Sequence, residues 1–168
     1  MQTWCEPGDV LVYFKPVNLT TRLIEYGEER IDPGEDRYAY HVAIALDRYN
    51  KVEANGQATE INPIDYDRCE VFRPPYDPAK LPGALAWAHM QVGRLYGWIG
   101  IIDQGLRDIS GGLLHLPRWF VTWANNRWPY CSTLAQSIMS QAGFDGVPNW
   151  PPPSPEDVYK TVKQWPVQ

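Results

Sequence analysis

The segment that decides the fold is "HVAIALDRYNKVEAN", which covers residues 41–55. Two apolar stretches, HVAIAL and KVEAN, flank the polar tetrapeptide DRYN, and this pattern is typical of a β-hairpin. With the turn centred near Arg48, a residue near positions 53–55 pairs across from His41. The segment therefore predicts two neighbouring antiparallel strands, with a histidine at the start of the first one.

The faces of this hairpin decide which polar side chains can meet. His41, Ala43 and Ala45 share one face of the first strand, and we expect a helix or a substrate to approach closely over these small alanines. Glu53 is an acidic residue in an apolar strand, which is unfavourable unless it has a partner. An even-sum register places Glu53 on the face of His41, and a one-residue slip separates them. Asn55 is the alternative partner. A salt bridge of Glu53 on a solvent-facing side, and a strand-end histidine bonded to a loop, remain open.

Outside the hairpin, the first 75 residues carry about three further predicted strands, in GDVLVYF, ATEIN and EVFRP. Each of these segments is short and is bounded by turn-forming residues. Its residues either alternate between apolar and polar or are mostly apolar. The stretch NLTTRLIEYGEER (residues 18–30) predicts a short helix. The following IDPGEDRYAY is rich in turn formers and predicts a loop.

The second half of the chain shows helical periodicity instead. The segments 77–95 and 99–109 predict two helices, and RWFVTWANNRW predicts a short aromatic helix or a lid. The stretch PYCSTLAQSIMSQAG predicts a helix that Gly143 terminates, and Ser154 is placed to cap a last helix. Strands first and helices later indicate an α+β fold. The two predicted apolar stripes contain Leu81, Leu85, Ala88, Val92 and Leu95, and then Ile99, Ile102, Leu106 and Ile109.

Composition excludes several classes of function. A chain of 168 residues suits one domain, and its net charge of −5 without a run of lysine or arginine argues against nucleic-acid binding. No stretch approaches the ~20 apolar residues that span a bilayer, so we expect no transmembrane segment. The start MQTWCEPGDVLVYF has no features of a secretory signal, so we expect synthesis in the cytoplasm.

The three cysteines are widely spaced. Cys5, Cys69 and Cys131 form no CxxC pair, and their odd number without a signal peptide argues against a disulfide framework. No two histidines have the spacing of zinc ligands, so a structural zinc site is not expected. Packing or chemistry remains for each thiol.

Cys131 is the best candidate for chemistry. In WPYCSTLAQSIM, Pro129 at the first helical position would put Cys131 in the first turn, where unpaired N–H groups and the helix dipole stabilise a thiolate. A buried packing role remains open. A nucleophilic thiol needs a base. His89 lies inside a predicted helix and His115 in a loop, whereas His41 opens the strongest predicted strand.

The order of several motifs resembles a known family. GDVL, HVAIAL, VEANG, YCSTLAQSIMSQAGF and PSPEDV, spread over residues 8–158, resemble the circularly permuted branch of the NlpC-type papain-like hydrolases, the YiiX-like proteins. The resemblance implies a permuted papain-like α+β fold with Cys131 as nucleophile, His41 as base and Glu53 as the third polar residue. GRLYGW resembles a tyrosine-bearing segment of that family, which implies that Tyr96 lies near the site.

The resemblance also implies an activity. It implies a thiol hydrolase that cleaves an amide bond, in a peptidoglycan-derived or other peptide-like substrate, through a thioester and without a metal or organic cofactor. The whole chain, 1–168, is then one domain with an aromatic-rich insertion near 110–128. Such an enzyme is compatible with a phage-encoded protein or with another route of delivery to the cell wall. Two alternatives stay open: a lipid-directed thiol acyltransferase or esterase similar to lecithin:retinol acyltransferase, and a catalytically silent binding or virion module.

Overall fold

A computed structural model describes residues 4–14 and 38–167 of the chain, with the side chains of residues 108 and 109 excepted. The helix predicted over residues 18–30, and most of the loop predicted after it, lie outside the described residues. Within these described residues lie five strands and five helices.

Five strands form one antiparallel sheet, in the order β4-β3-β2-β1-β5. All five correspond to strands predicted from the sequence, and the central hairpin joins β2 to β3. The central strand of the sheet, β2, pairs with β1 on one side and with β3 on the other. The strands are β1 (Val10–Tyr13), β2 (His41–Ala45), β3 (Asn50–Ala54), β4 (Thr59–Pro63) and β5 (Cys69–Phe72).

The turn of the β2–β3 hairpin is built around one carboxylate. Oδ1 of Asp47 accepts hydrogen bonds from the backbone N–H of Tyr49 at 2.6 Å and of Asn50 at 2.8 Å. The backbone N–H of Leu46 donates to the carbonyl of Asn50 at 2.8 Å and closes the turn. Local side-chain bonding of this kind is what makes aspartate favourable in turns. The turn therefore lies where the sequence predicts it.

The hairpin register is the favourable one. Ile44 pairs with Val52, so the numbers of paired residues have an even sum. In this register Glu53 projects from the same face of the sheet as Ala43 and His41. The condition on which a His41–Glu53 partnership depended is therefore met.

Five helices complete an α+β arrangement, as predicted. α4 and α5 pack on one face of the sheet, α1 packs on α4, and α2 and α3 pack on each other. None of these helices is long and apolar enough to cross a bilayer. The helices are α1 (Leu81–Met90), α2 (Trp98–Ser110), α3 (Arg118–Arg127), α4 (Cys131–Gln141) and α5 (Pro155–Val162).

The end of α4 and the start of α5 lie where the sequence predicts them. Gly143, with φ of +87°, follows the end of α4 and adopts the left-handed conformation that glycine favours. Ser154 caps α5, because its hydroxyl accepts from the N–H of Asp157 at 3.1 Å while the Asp157 carboxylate accepts from the N–H of Ser154 at 2.9 Å.

The first helix is shorter than its apolar stripe predicts. It ends at Met90, and Val92 and Leu95 are exposed rather than buried. Gly93 takes a φ of +86° just after the helix, and the N–H of Thr59 donates to the carbonyl of residue 94 at 2.8 Å. Pairing with the edge of β4 therefore replaces the last helical turns.

The stripe predicted on the second helix is only partly buried. Ile102 is exposed, whereas the neighbouring Asp103 is almost fully buried. The Asp103 carboxylate accepts from Nε of Arg107 at 2.8 Å and from the N–H of Leu116 at 2.6 Å. Because these bonds satisfy a carboxylate out of water, the polar side of α2 can face inward.

The helices cover the face of β2 opposite to the predicted one. Val42 and Ile44 belong to the core that contains α4, whereas Ala43 and Ala45 pack with Tyr13 and other residues on the far side of the sheet. The expectation that a helix approaches over the alanines is therefore wrong. The larger branched residues supply the apolar area that the helices bury.

The alternation of faces breaks just before β2. Ala39 packs with the helix-side core, like Val42, and Tyr40 packs with the far-side cluster, like Ala43. A strict two-residue period would place Ala39 and Tyr40 the other way round. His41 lies at this break, where the assignment of odd- and even-numbered side chains to the two faces of the sheet changes.

Candidate active site

The start of α4 presents the cysteine. Cys131 is the first residue of the helix and Tyr130 is its N-cap, so Pro129 precedes the cap rather than occupying the first helical position. The N–H of Tyr130 donates to the hydroxyl of Thr133 at 3.0 Å, which fixes the entry of the chain into the helix. The thiol is therefore at the positive end of the helix dipole, as predicted.

The Cys131 thiol is buried but surrounded by donors. Only 2% of the residue is exposed. Burial raises the pKa of the thiol, but a hydrogen bond to His41, the charge of that imidazole and the backbone N–H groups of Val42 and Ser132 outweigh it. The pKa of Cys131 therefore lies below its ordinary value, which favours the thiolate.

His41 connects this thiol to a carboxylate. Its Nε2 lies 2.7 Å from Oε2 of Glu53, which leaves Nδ1 as the ring nitrogen for the thiol. Burial lowers the pKa of His41, but hydrogen bonds to Cys131 and Glu53 and their charges raise it to about 9. An imidazolium is therefore favoured at neutral pH beside the thiolate.

Glu53 is a buried anion, not the solvent-facing residue of the alternative interpretation. Its side chain is 8% exposed, its Oε2 also accepts from Nζ of Lys51 at 2.8 Å, and its Oε1 accepts from Nδ2 of Asn62 at 3.0 Å. Burial raises the pKa of this carboxyl, but the hydrogen bond and charge of His41 and the charge of Lys51 bring it down to about 2. The carboxylate is therefore charged at neutral pH and orients the ring.

Lys51 is a member of this network that sequence reasoning missed. Its side chain is 9% exposed, and Nζ donates to the hydroxyl of Tyr13 at 2.9 Å and lies 4.4 Å from the centroid of that ring. The charged forms of Lys51, His41, Glu53 and Cys131 sum to zero, so the buried cluster carries no net charge. The signal was present in KVE, where two opposite charges share one strand face.

Tyr96 lies beside the cysteine, as the resemblance implies. Burial, followed by the charge of the Cys131 thiolate, raises the pKa of its phenol, which stays neutral, and the thiol and backbone of Cys131 are both close enough to act on it. Next to it, the N–H of Gly97 donates to the carbonyl of Pro129 at 3.2 Å. A methyl group at Gly97 would collide with the carbonyl of Trp128, so glycine permits this close approach.

Other candidate residues lie elsewhere. His89 and His115 are both exposed, on α1 and in the loop before α3. Nδ2 of Asn55, the alternative partner for His41, instead donates to Oε2 of Glu60 at 2.5 Å. Of the predicted candidates, the structure thus brings His41, Glu53, Tyr96 and the cysteine together, and leaves these three outside.

The pKa values of the other two thiols, Cys5 and Cys69, are shifted in the direction opposite to that of Cys131. Cys5, Cys69 and Cys131 are all free. Burial is the main cause that raises the pKa of Cys5, and the same cause raises that of Cys69 to about 11. In the described part of the chain, no group of three or more histidine, cysteine, aspartate or glutamate residues could hold a metal ion.

No protein-family model matches the chain, and no curated protein or solved structure is recognisably similar to it.

Proposed function

We propose that this protein is a thiol hydrolase that cleaves an amide bond in a peptide-like substrate. Cys131 is the nucleophile, His41 the base and Glu53 the residue that orients the base. The observation that carries the proposal is the 2.7 Å contact between Nε2 of His41 and Oε2 of Glu53, on a ring that also hydrogen-bonds the thiol at a helix start. Nucleophile, base and orienting residue in such contact are the signature of covalent catalysis.

Acylation begins from the ion pair. The Cys131 thiolate attacks the carbonyl carbon of the scissile amide, and the carbonyl oxygen takes up the negative charge. The His41 imidazolium then gives its proton to the amide nitrogen, the C–N bond breaks and the amine leaves. Glu53 holds the ring in place and stabilises its positive charge before the proton moves.

Deacylation uses the same groups in reverse. Neutral His41 removes a proton from water, which attacks the Cys131 thioester. The carboxylic acid leaves and the thiolate returns beside the imidazolium. Every proton in this cycle is carried by His41, so the proposed chemistry requires no metal or organic cofactor.

The oxyanion is stabilised by two donors next to the sulfur. The backbone N–H of Cys131 is one, and the hydroxyl of Tyr96, which contacts both this backbone and the thiol, is the other. A substrate carbonyl oxygen that lies between the Tyr96 hydroxyl and the backbone N–H of Cys131 would accept a hydrogen bond from each. The loss of one such donor typically raises the barrier by ~3 kcal/mol.

The substrate class rests on the motif order. The resemblance to permuted NlpC-type hydrolases supports a peptidoglycan stem peptide or a similar peptide as the substrate. The lipid-directed acyltransferase and the silent module remain the alternatives. The His41–Glu53–Lys51 network supports an active site over a silent one, because a buried ionic cluster costs desolvation energy that a simple binding fold has no need to incur.

The test is hydrolysis of soluble muropeptides, followed by mass spectrometry. We expect new amine and carboxyl termini from the wild-type protein, and an acyl adduct on Cys131 in rapidly quenched samples. The Cys131→Ser variant should lose about 10³-fold or more in rate, because the alkoxide nucleophile is not available at neutral pH. Cys69→Ser, a change of a thiol outside the site, is the matched control and should keep full activity.

Other results of these assays would change the proposed substrate or overturn the proposal. Acyl transfer from a phospholipid to Cys131, without cleavage of muropeptides, would replace the peptide substrate with the lipid alternative. If neither substrate gives product or adduct, or if Cys131→Ser retains the activity, the hydrolase proposal is wrong.

A further inference from the structure

Exposed apolar side chains are concentrated in one part of the chain. Twelve large hydrophobic residues of the described part are exposed, and nine of them fall within residues 90–123. This segment covers the end of α1, all of α2 and the first half of α3. Scattered single residues are normal on a protein surface, but such a concentration indicates a contact surface. The nine are Met90, Val92, Leu95, Trp98, Ile102, Leu113, Leu114, Trp119 and Trp123.

The most exposed of them lie where α2 turns into α3. Leu113 is 85% exposed and Leu114 is 60% exposed, both in the connecting loop, and Trp119 in the first turn of α3 is 73% exposed. α2 and α3 pack mainly on each other, so their connection forms the outer end of a helical hairpin. We call these three residues the apolar tip.

The charge around the tip differs from that of the whole chain. Residues 109–144 contain Arg118 and Arg127 but no aspartate, glutamate or lysine, although the whole chain has a net charge of −5. Both arginines are exposed and stand at the two ends of α3. Their guanidinium groups lie over aromatic rings, 5.0 Å from Trp150 and 5.5 Å from Trp128. Over α2, α3 and their connection, residues 98–127, three arginines stand against Asp103 and Asp108, a formal charge of +1 on an acidic protein.

We propose that the apolar tip and the two arginines form a docking surface for an anionic lipid bilayer. The leucines and Trp119 enter the boundary between headgroups and acyl chains, and Arg118 and Arg127 contact lipid phosphates. Apolar burial together with attraction to anionic lipid is the combination by which interfacial helices bind. Tryptophan is enriched at that depth because its ring is amphipathic.

Composition and charge favour a bilayer over a protein partner. Exposed apolar side chains such as Leu113 and Leu114 insert between lipids without a matching pocket on a partner. The absence of acidic residues between positions 109 and 144 also removes the repulsion that the rest of the chain would bring to an anionic surface.

The surface is connected to the cysteine by a row of rings. Trp119, Phe120, Trp123 and Trp128 follow each other with centroid distances of 5.7, 5.8 and 5.4 Å. Trp128 stands three residues before Cys131 in the chain. The row runs along α3 from the tip to the start of α4, so docking would orient the start of α4 relative to the membrane, whichever substrate the site uses.

Flotation of the full-length protein with vesicles tests the proposal. We expect binding to phosphatidylcholine vesicles that contain phosphatidylglycerol, with weaker binding to phosphatidylcholine alone and at high salt. The triple change of Leu113, Leu114 and Trp119 to serine should weaken binding about tenfold or more, since it removes most of the inserted apolar area. Ile61→Ser, an exposed apolar residue on β4, is the control and should bind like the wild type.

Three results would overturn the proposal. These are no binding to either vesicle, unchanged binding by the triple variant, and self-association of the wild type that the triple variant abolishes, which would mean that a second copy covers the tip. Circular dichroism and the alkylation rate of Cys131 should be the same in all proteins. Failure of the membrane proposal is therefore distinguishable from failure of the active site.

Discussion

The change of His41 to alanine is expected to slow amide hydrolysis by about 10²- to 10⁴-fold, the usual contribution of a positioned general base. The physical reason is that His41 does two things in this structure. Its hydrogen bond and charge lower the pKa of the buried Cys131 thiol, and it carries the proton to the leaving amine. Without the imidazole, only the backbone N–H groups of Val42 and Ser132 oppose the effect of burial, so the pKa of the thiol rises and less thiolate is present at neutral pH. Initial rates of muropeptide cleavage at neutral pH measure the effect.

A matched histidine change separates this effect from general damage. His115 is exposed in the loop before α3, and the His115→Ala variant should keep the wild-type rate. The Lys51–Glu53 ion pair stays intact in His41→Ala, so the variant should fold. Retention of more than about a tenth of the wild-type rate by a folded His41→Ala protein would contradict the role of His41 as the base.

The Glu53→Gln variant is expected to move the alkaline limit of activity to lower pH and to reduce the rate about 10- to 100-fold at neutral pH. Glu53 raises the pKa of His41, which is about 9 in the folded protein. Because a neutral amide cannot stabilise the imidazolium as the carboxylate does, the pKa of His41 should fall. The imidazolium then loses its proton at a lower pH, which leaves the thiolate beside a neutral imidazole that has no proton to give to the leaving amine. The pH profile of kcat/KM measures this shift.

The same change affects stability in a defined direction. Since the pKa of Glu53 is about 2 when folded, below its ordinary value, the carboxylate stabilises the protein at neutral pH and loses this contribution as the pH falls towards 2. Glu53→Gln also leaves the buried Lys51 ammonium without its anion, which costs about 3 to 5 kcal/mol of unfolding free energy.

A double variant separates the two effects of Glu53. In Glu53→Gln combined with Lys51→Met, the unpaired ammonium is gone, so the unfolding free energy from urea denaturation should recover. The shifted pH profile should remain, because His41 still lacks its carboxylate. If Lys51→Met restored the wild-type pH profile as well, Glu53 would act only through stability and not on the imidazole.

The elements of the fold were predictable because they depend on local rules. The β2–β3 hairpin follows from a turn whose side-chain bonds involve only Asp47 and its neighbours, and the α5 start follows from the Ser154 cap. His41 and Cys131 were predictable as candidates for the same reason, since each opens a regular element.

The residues that were missed depend on contacts between distant segments. The pairing of Lys51 with Glu53 is local, but the ammonium is also held in its buried place by the hydroxyl of Tyr13, 38 positions earlier. The polar inward side of α2 likewise requires Leu116 to donate to Asp103 across a loop. The break in alternation before His41 is a feature of the backbone that no residue type in Tyr38–His41 indicates. Periodicity cannot find such cases, because it assumes that apolar residues define the buried face.

The pH dependence of alkylation at Cys131 tests the central claim most directly. Iodoacetamide labelling of each cysteine is followed by mass spectrometry from about pH 5 to about pH 10, and the pH midpoint of each thiol is compared, since the midpoint does not depend on access. The account predicts that Cys131 titrates below the ordinary thiol value of about 8.5, that Cys69, with a pKa of about 11, shows no midpoint below about pH 10, and that His41→Ala removes the low midpoint of Cys131. A midpoint for Cys131 at or above the ordinary thiol value, unchanged by His41→Ala, would contradict the thiolate–imidazolium pair.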